Sequence, residues 1–329
     1  MSHAVIGIDV GNYDTKSQHT ITPSSFVTYK SKNPLAKEYV FANGTCYVPT
    51  EDRNRQQQDK TVDDYCLNVS LFAVAKEILH QIESKNPDFT KEQKQAEIDK
   101  ITDISIGVGL PAGYFKALKD KTQKCYLGAW GSSLSFEYGR GADEAYNFSM
   151  TLRTCLVFPQ DLTPVLSDPK LEIPKDSRKY YVLGIGGGTC DVVPVNDGFP
   201  EIDKIITLKA GSTVMYATLI RNIQAETGDT LDYNLIEDIL LDRHSYVSDE
   251  VKARVKELAG SFVSQLIEDM DHNGVNIKNF PCVFVGGGAI LMKPYIEASK
   301  RFVRTEFMSD VNINAKSYAA FVSKSLKAE

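Results

Sequence analysis

The sequence predicts an α/β fold with mostly parallel central sheets, divided into two domains that share a cleft. The chain has 329 residues, which exceeds the roughly 100–200 residues of a single domain. Short apolar runs that end in glycine recur along it, and such runs are typical of buried strands. These runs are Val5–Gly11, Ile104–Gly109, Tyr181–Gly188 and Cys282–Gly288. Helical patterns lie between them, and strands that alternate with helices favour parallel sheets covered by helices.

Four segments carry apolar residues three or four positions apart, which is the spacing of one face of a helix. They are Val69–Glu83, Ser212–Thr227, Asp249–Asp271 and Leu291–Val303. The hydroxyl of Ser212 is predicted to cap the second of these helices. The segment from Gln18 to Asp64 interrupts the alternation with three prolines and the polar stretch Glu51–Lys60. This segment is therefore predicted to be an inserted small subdomain.

Composition limits the partners of the chain. It has 37 Lys and Arg residues and 43 Asp and Glu residues. It has no strongly basic tract that would bind DNA or anionic lipid. Any contact with nucleic acid is therefore predicted to be indirect. No stretch approaches the roughly 18 apolar residues of a membrane span, and the apolar run Ala4–Ile8 leaves no room for a signal peptide, so we expect a cytoplasmic protein. Six cysteines without a CxxC pair favour reduced core thiols over a metal site.

The first motif with chemical content runs from Gly7 to Lys16. A strand turns at Gly11 and presents the Asp9 carboxylate on one side and the Lys16 ammonium seven residues later. Such a hairpin can place backbone N–H groups and Lys16 on phosphate oxygens while Asp9 holds hydrated Mg²⁺. The alternative is an ordinary strand and turn with surface charges. A carboxylate inside an apolar run favours function, because leaving it unpaired there would be costly.

Two further motifs are rich in glycine. In the first, three consecutive glycines, Gly186–Gly188, lie between strand-like segments and are followed by Thr189 and Asp191. Glycines let the backbone approach a charged ligand closely. In the second, a buried strand runs into Gly286–Gly288 and then a helix, so a flat base or a phosphate can lie against the backbone and the helix N-terminus. A flexible turn between two strands is the alternative for the first of these motifs, and neither motif is a Walker A loop.

In this order the three motifs resemble the phosphate 1, phosphate 2 and adenosine motifs of the actin, Hsp70 and sugar-kinase superfamily. Asp103–Pro111 looks like the strand before the first connecting helix, and Asn314–Val322 looks like the second connecting helix. Order, spacing and length are most similar to the ParM/StbA-like bacterial actins of plasmid segregation.

The resemblance implies duplicated actin-like (ribonuclease H-like) domains with a nucleotide cleft between them. Domain I would cover residues 1–165, with the inserted subdomain at about 18–64, and would be completed by a C-terminal helix at about 312–329. Domain II would cover 166–311, with a helical subdomain at about 211–275.

The resemblance also implies roles for particular residues. Asp9 would order Mg²⁺ through water, and Lys16 would contact the β- and γ-phosphates. Gln160 would position the attacking water, the alternative being a solvated residue at the end of a strand. Asp191 would stand at the end of the second phosphate hairpin as a further catalytic residue. The residues expected to contact ATP or ADP are Gly11, Asn12, Tyr13, Lys16, Gly186, Gly187, Gly188, Thr189, Gly211, Ser212, Gly286, Gly287, Gly288 and Ile290.

One position departs from the family pattern. The second hairpin ordinarily opens with Asp in a pattern similar to Asp-x-Gly-Gly-Gly-Thr, and here Gly184 stands in place of that Asp. Glycine cannot hold a metal-bound water or orient a nucleophile. The departure predicts that nucleotide binding is largely retained and turnover is depressed.

The function implied is an ATPase whose ATP state polymerises and whose filaments weaken after hydrolysis. Its partners would be its own copies and a DNA-binding adaptor protein on a plasmid centromere, with no membrane partner. Three alternatives stay open: a small-molecule kinase, an iron–sulfur activator ATPase, and a non-polymerising ATPase of the same superfamily.

Overall fold

The computed structural model describes residues 2–33, 35–50, 59, 61–141 and 143–328. Pro34 and the predicted polar stretch Glu51–Lys60, apart from Asp59, lie outside the described residues. The chain divides into two compact units, of which the first comprises Met1–Thr163 with Asn312–Glu329 and the second comprises Pro164–Val311. No helix in the described ranges is both long and apolar enough to cross a bilayer.

The first unit is built, within its described residues, on a sheet of nine strands. In chain order they are β1 (Ser2–Val10), β2 (Asp14–Lys16), β3 (Ile21–Pro23), β4 (Ser25–Tyr29), β5 (Glu38–Ala42), β6 (Thr45–Thr50), β7 (Ile101–Leu110), β8 (Leu134–Arg140) and β9 (Ala145–Pro159). Their order across the sheet is β3-β2-β1-β7-β9-β8-β5-β6-β4. Strands β1, β7 and β9 are parallel neighbours, whereas the flanking pairs are antiparallel.

The second unit has a sheet of six strands among the residues described. They are β10 (Lys179–Ile185), β11 (Cys190–Asn196), β12 (Phe199–Pro200), β13 (Ile206–Leu208), β14 (Cys282–Val285) and β15 (Thr305–Phe307). The main order is β12-β11-β10-β14-β15, and β13 pairs with β11. Strands β10 and β11 form an antiparallel hairpin, while β14 lies parallel to both β10 and β15.

The helices lie between these strands and at the end of the chain. They are α1 (Tyr65–Lys85), α2 (Lys91–Asp99), α3 (Ala112–Trp130), α4 (Leu162–Ser167), α5 (Ile173–Asp176), α6 (Ser212–Thr227), α7 (Tyr233–Leu240), α8 (Asp249–His272), α9 (Gly287–Ser299) and α10 (Ile313–Ala328). Helices α6, α7 and α8 pack on one another in the second unit. Helix α10 returns to the first unit and packs on β1 and β7.

Two of the local predictions need correction. Helix α6 has the predicted bounds, but its N-cap is Gly211 and no side chain caps it, so the prediction of a Ser212 cap was wrong. Helix α9 was predicted at Leu291–Val303 and instead begins at Gly287 and ends at Ser299. Glycines are poor helix formers and add no apolar side chain, so the apolar periodicity did not indicate that the helix begins before Leu291.

The central strands explain the continuous apolar runs of the sequence. Ile6 and Ile8 on β1, and Ile104 and Ile106 on β7, are all completely buried. A parallel sheet is covered on both faces, so its strands are apolar throughout rather than alternating. Gly7 interrupts this run because α10 lies against it: a methyl carbon added there would be 1.8 Å from the Ala315 carbonyl oxygen.

Candidate functional site

The first predicted motif forms the hairpin of β1 and β2. Asp9 stands directly opposite Lys16 in the antiparallel register, and opposite residues project from the same face of a sheet. The turn between the strands is tight at Gly11, whose N–H donates to the Asp14 carbonyl at 3.0 Å. A side chain on Gly11 would collide with that carbonyl, since its Cβ would lie 2.5 Å from the oxygen. The hairpin therefore presents a carboxylate and an ammonium beside a turn that requires glycine.

A serine outside the predicted site supports this hairpin. The Ser24 hydroxyl donates to the Gly11 carbonyl at 2.7 Å and also pairs with the Thr15 hydroxyl at 2.9 Å. The Ser24 N–H donates to the Tyr13 carbonyl at 3.1 Å. Because these contacts reach both ends of the turn and strand β2, Ser24 fixes the shape of the hairpin that carries Asn12 and Tyr13. Sequence reasoning missed Ser24, since nothing in its local pattern marks it.

Asp9 and Gln160 are brought together from positions 151 residues apart. The Gln160 side-chain amide donates to one Asp9 oxygen at 3.0 Å, and the Asn314 amide donates to the other at 3.2 Å. Asp9 is only 5% exposed, and a buried carboxylate is stable only when hydrogen bonds replace its water. The two amides supply those bonds, so the carboxylate is held in one orientation.

Gln160 directly follows β9 and is fixed through its backbone. Its N–H donates to the Leu110 carbonyl at 2.7 Å, and its own carbonyl accepts from Leu162 at 2.7 Å. The next residue, Asp161, has a left-handed backbone with φ of 63°. This turn ends the strand and directs the Gln160 side chain to Asp9. Neither Asp161 nor Asn314 was among the predicted site residues.

The donor set around Asp9 fits a hydrated magnesium ion. Within the residues that the structure describes, no group of three His, Cys, Asp or Glu side chains could enclose a metal. Mg²⁺ usually keeps several waters and is held by one or two carboxylates together with substrate phosphates. A single oriented carboxylate beside a lysine matches that arrangement, with contact through water.

In the second unit, Gly186–Gly188 form the turn between β10 and β11. The Gly186 N–H closes this turn on the Thr189 carbonyl at 3.0 Å. The three glycine carbonyls accept backbone N–H groups from the start of α6, including Ser212 to Gly186 at 2.9 Å. Among the described residues, the N–H groups of Gly187 and Gly188 donate to no acceptor. Free backbone N–H groups in a glycine turn form an anion-binding concavity.

Gly211 makes this arrangement possible. A Cβ on Gly211 would lie 2.2 Å from the Gly187 carbonyl oxygen and 2.6 Å from the Gly188 nitrogen. Ser212 follows it as the first residue of α6, and the Ser212 N–H donates to the Gly186 carbonyl in the glycine turn. Gly211 and Ser212, both predicted from the sequence as nucleotide contacts, therefore lie against the glycine turn and stabilise its backbone.

The third motif joins β14 to α9 beside the same turn. Gly286 has φ of 100°, and its Cβ would be 2.5 Å from the Ile185 carbonyl oxygen. A Cβ on Gly288 would lie 2.7 Å from the Ile185 side chain and 3.0 Å from the Gly186 carbonyl oxygen, whereas Gly287 faces open space. Ile290 is half-buried on the first turn of α9. The two glycine motifs, 100 residues apart in sequence, are thus in contact.

Asp191 and Gly184 face each other across the β10–β11 hairpin. The Asp191 carboxylate is 7% exposed and accepts hydrogen bonds from the Thr207 hydroxyl and, at 3.4 Å, from the Thr189 hydroxyl. Opposite residues share a face of the sheet with Cβ atoms about 5 Å apart. Asp191 therefore places a carboxylate on the same face of the hairpin as Gly184, which has no side chain.

The fold is that of the actin homologues, and both the predicted fold class and the predicted resemblance to ParM-like actins are confirmed. Ta0583, an archaeal actin homologue, has a TM-score of 0.70 at 20% identity over 98% of this chain and 99% of its own. It has also been solved in complex with ADP. A ParM filament protein from Clostridium botulinum has a TM-score of 0.68 at 15% identity, over 98% and 100% of the two chains. ParM of Bacillus thuringiensis, solved with ATP, has a TM-score of 0.65 at 13% identity, over 99% and 100%.

At the level of sequence, residues 182–298 match the family model described as the C-terminal part of the archaeal MreB-like actin homologues. This segment contains the glycine turn, helices α6–α8 and the β14–α9 motif. No curated protein sequence matches the chain.

Proposed function

We propose that the chain is an actin-like ATPase that binds ATP with hydrated Mg²⁺, hydrolyses it slowly and assembles with its own copies into nucleotide-dependent filaments. The observation that carries the proposal is the contact between Asp9 and Gln160. Two polar side chains 151 residues apart meet at 3.0 Å at the ends of β1 and β9, the two strands that flank β7, beside a hairpin that carries Lys16.

The second unit supports the nucleotide part of the proposal. Its glycine turn offers the N–H groups of Gly187 and Gly188, which suit phosphate oxygens. The N-terminus of α9 adds a favourable dipole for a phosphate or a close surface for a base. The solved complexes of Ta0583 with ADP and of Bacillus thuringiensis ParM with ATP agree with adenine nucleotides as ligands.

In the proposed mechanism a water attacks the γ-phosphate in line with the leaving oxygen, and the protein supplies position and charge stabilisation. Gln160 orients that water through its side-chain amide. Lys16 and the glycine-turn N–H groups stabilise the phosphate oxygens as charge develops on them. Asp9 would hold the waters of Mg²⁺, and the bound ion would supply positive charge beside the phosphates.

Gly184 is proposed to slow this reaction. The face of the β10–β11 hairpin that would normally carry two acids carries only Asp191, whose carboxylate is bound by two threonine hydroxyls. Losing an interaction that matters mainly in the transition state lowers kcat more than nucleotide affinity. The variant G184D should therefore raise phosphate release while changing the Kd for ATP little, and unchanged release would contradict this assignment.

The proposal that the chain forms filaments rests on the similarity of its fold to that of a protein solved as a ParM filament. Head-to-tail contacts between identical subunits generate open polymers when they do not close into a ring, and nucleotide state would bias the shape that polymerises. We further propose plasmid DNA segregation in the cytoplasm, with a DNA-binding adaptor protein as the second partner. The net charge of −6 agrees with indirect rather than direct contact with DNA.

Right-angle light scattering with negative-stain microscopy tests the proposal. Purified protein receives Mg-ATP, Mg-ADP or a non-hydrolysable ATP analogue, and the Q160A variant serves as a second sample. Filaments with the triphosphates and few with ADP are expected, and Q160A filaments should persist longer because hydrolysis no longer weakens them. Nucleotide binding without assembly at any concentration would refute the polymer and direct attention to kinase substrates.

A further inference from the structure

Asn314, the second residue of helix α10, lies at the centre of the first-unit site. It is only 4% exposed, and its amide group makes three hydrogen bonds. The Nδ2 group donates to Asp9 at 3.2 Å and to the Asp161 carboxylate at 2.9 Å. The Oδ1 atom accepts the Asp161 N–H at 2.9 Å. One side chain therefore contacts both the predicted metal-ordering carboxylate and the turn that follows Gln160.

The contact with Asp161 matters because that residue holds a strained backbone. A non-glycine residue at φ of 63° is uncommon, and asparagine and aspartate adopt this conformation more readily than other side chains. Asn314 satisfies both the N–H and the carboxylate of Asp161, so the left-handed turn is stabilised from outside the strand. The direction of the Gln160 side chain depends on this turn, since Gln160 is the preceding residue.

We propose that Asn314 is a positioning residue for both predicted catalytic side chains, because its single amide group fixes the Asp9 carboxylate and the Asp161 turn that aims Gln160. The inference rests on the proposed ATPase function and adds to it a role for the C-terminal helix. Sequence separation is large at each contact, so only packing of α10 brings these groups together.

The position of α10 is suited to this role. Gly7 on β1 and Gly107 on β7 allow the helix backbone to approach the sheet: a Cβ at Gly107 would lie 2.7 Å from the Tyr318 Cβ. The Ser317 hydroxyl donates to the Asn314 carbonyl at 2.8 Å. The bond from Ser317 lies within the helix, whereas the Ala315 carbonyl lies directly against Gly7. The first turn of the helix is therefore held on the sheet, and the Asn314 amide has little freedom to move away from Asp9.

A neighbouring asparagine provides a matched control. Asn312 is 8% exposed, and its amide donates to the Ser17 and Thr20 carbonyls at 2.8 and 3.1 Å. It thus ties the segment before α10 to the first unit through a similarly buried amide. The two variants N314A and N312A remove the same group two residues apart, and only the first removes a hydrogen bond to Asp9.

The experiment measures ATP affinity with Mg²⁺ and with EDTA, single-turnover hydrolysis, and the urea midpoint for wild type, N314A and N312A. N314A should lose about 10- to 100-fold in hydrolysis rate, as expected when reacting groups are misplaced by about 1 Å. The tightening of ATP binding by Mg²⁺ should fall severalfold in N314A, while affinity in EDTA changes little. N312A should lower the urea midpoint comparably but keep the Mg²⁺ effect.

A second pair of variants tests the turn without changing Asn314. D161G and D161A both remove the carboxylate, but only glycine adopts positive φ without cost. D161G should therefore hydrolyse ATP roughly tenfold faster than D161A, which corresponds to about 1.4 kcal/mol of retained positioning. Equal rates would show that the turn does not aim Gln160.

The outcomes separate this inference from the function on which it rests. A wild-type protein that binds no adenine nucleotide would refute the proposed function, and the inference with it. A wild-type protein that hydrolyses ATP, with N314A equal to it in rate and Mg²⁺ response, would refute the inference alone. An N312A variant with the same losses as N314A would assign the effect to anchoring of the helix.

Discussion

Replacement of Gly7 by alanine tests how closely α10 must approach the sheet. A methyl carbon there would lie 1.8 Å from the Ala315 carbonyl oxygen and 3.0 Å from the Ala319 nitrogen, whereas ordinary contact begins at 3.4 Å. The clash is with helix backbone, which cannot rotate aside. The helix must therefore move by more than one ångström, and overpacking of this kind costs about 1–3 kcal/mol.

The same movement should reach the site. Asn314 directly precedes Ala315, and its bond to Asp9 is already 3.2 Å long, so a shift of this size breaks it. We expect G7A to lose about 100-fold in ATP hydrolysis as well as stability, because misplacement of about 1 Å at a reacting group has that effect.

Urea unfolding and phosphate release measure the two effects. The control is G128A, because Gly128 lies exposed in helix α3 with no atom within 4 Å of its added Cβ. Alanine is favoured over glycine in a helix by about 0.5–1 kcal/mol, so G128A should be slightly more stable than wild type. A G7A variant within 0.5 kcal/mol of wild type, with an unchanged slope against urea, would refute the reasoning.

Three further predictions concern the first unit. Q160A should lower the single-turnover rate of ATP hydrolysis about 100-fold while the Kd for ATP, measured by titration calorimetry, changes less than threefold; a comparable loss of affinity would make Gln160 a binding residue. A hydrogen bond from the Cys66 thiol lowers the pKa of the half-buried Cys125 to about 7, so alkylation of Cys125 by iodoacetamide should rise with pH around a midpoint near 7, and C66A should move that midpoint upward. Glu77 is fully buried; burial raises its pKa, but hydrogen bonds from Gln81, Ser17 and His19 outweigh this and hold the pKa below its usual 4.5. E77Q should therefore cost about 2–3 kcal/mol at pH 7, and because the ionised form is the stabilised one, the difference from wild type should shrink as pH falls below 4.5, as urea midpoints at pH 7 and below pH 4 would show.

The apolar periodicity predicted the bounds of a helix where the periodic residues themselves stabilise that helix. Helix α6 has the predicted bounds because its buried stripe continues to Ile223 and Gly228, at positive φ, ends the helix after Thr227. Helix α9 does not, because its first residues are glycines. Gly288 packs closely on Ile185, and that packing leaves no periodic signal in the sequence.

The Ser212 cap failed for a similar reason. Serine just before an apolar stripe predicts a cap, but the N–H groups at the start of α6 already bond to the carbonyls of Gly186–Gly188. A contact with a distant turn thus replaced the expected local one. Helix propensity and capping rules describe a chain segment by itself, so they cannot anticipate such a partner.

The sequence by itself determined the α/β class, the order of the glycine-rich turns and the residue types at each turn, because those depend on periodicity and backbone freedom within about ten residues. It named Asp9 and Gln160 only as separate candidates. Their contact, and the roles of Asp161 and Asn314, were decided by tertiary structure alone. The physical reason is that a hydrogen bond between residues 150 or more positions apart depends on where β9 lies in the sheet and on how α10 packs against it, and no single segment of the sequence contains that information.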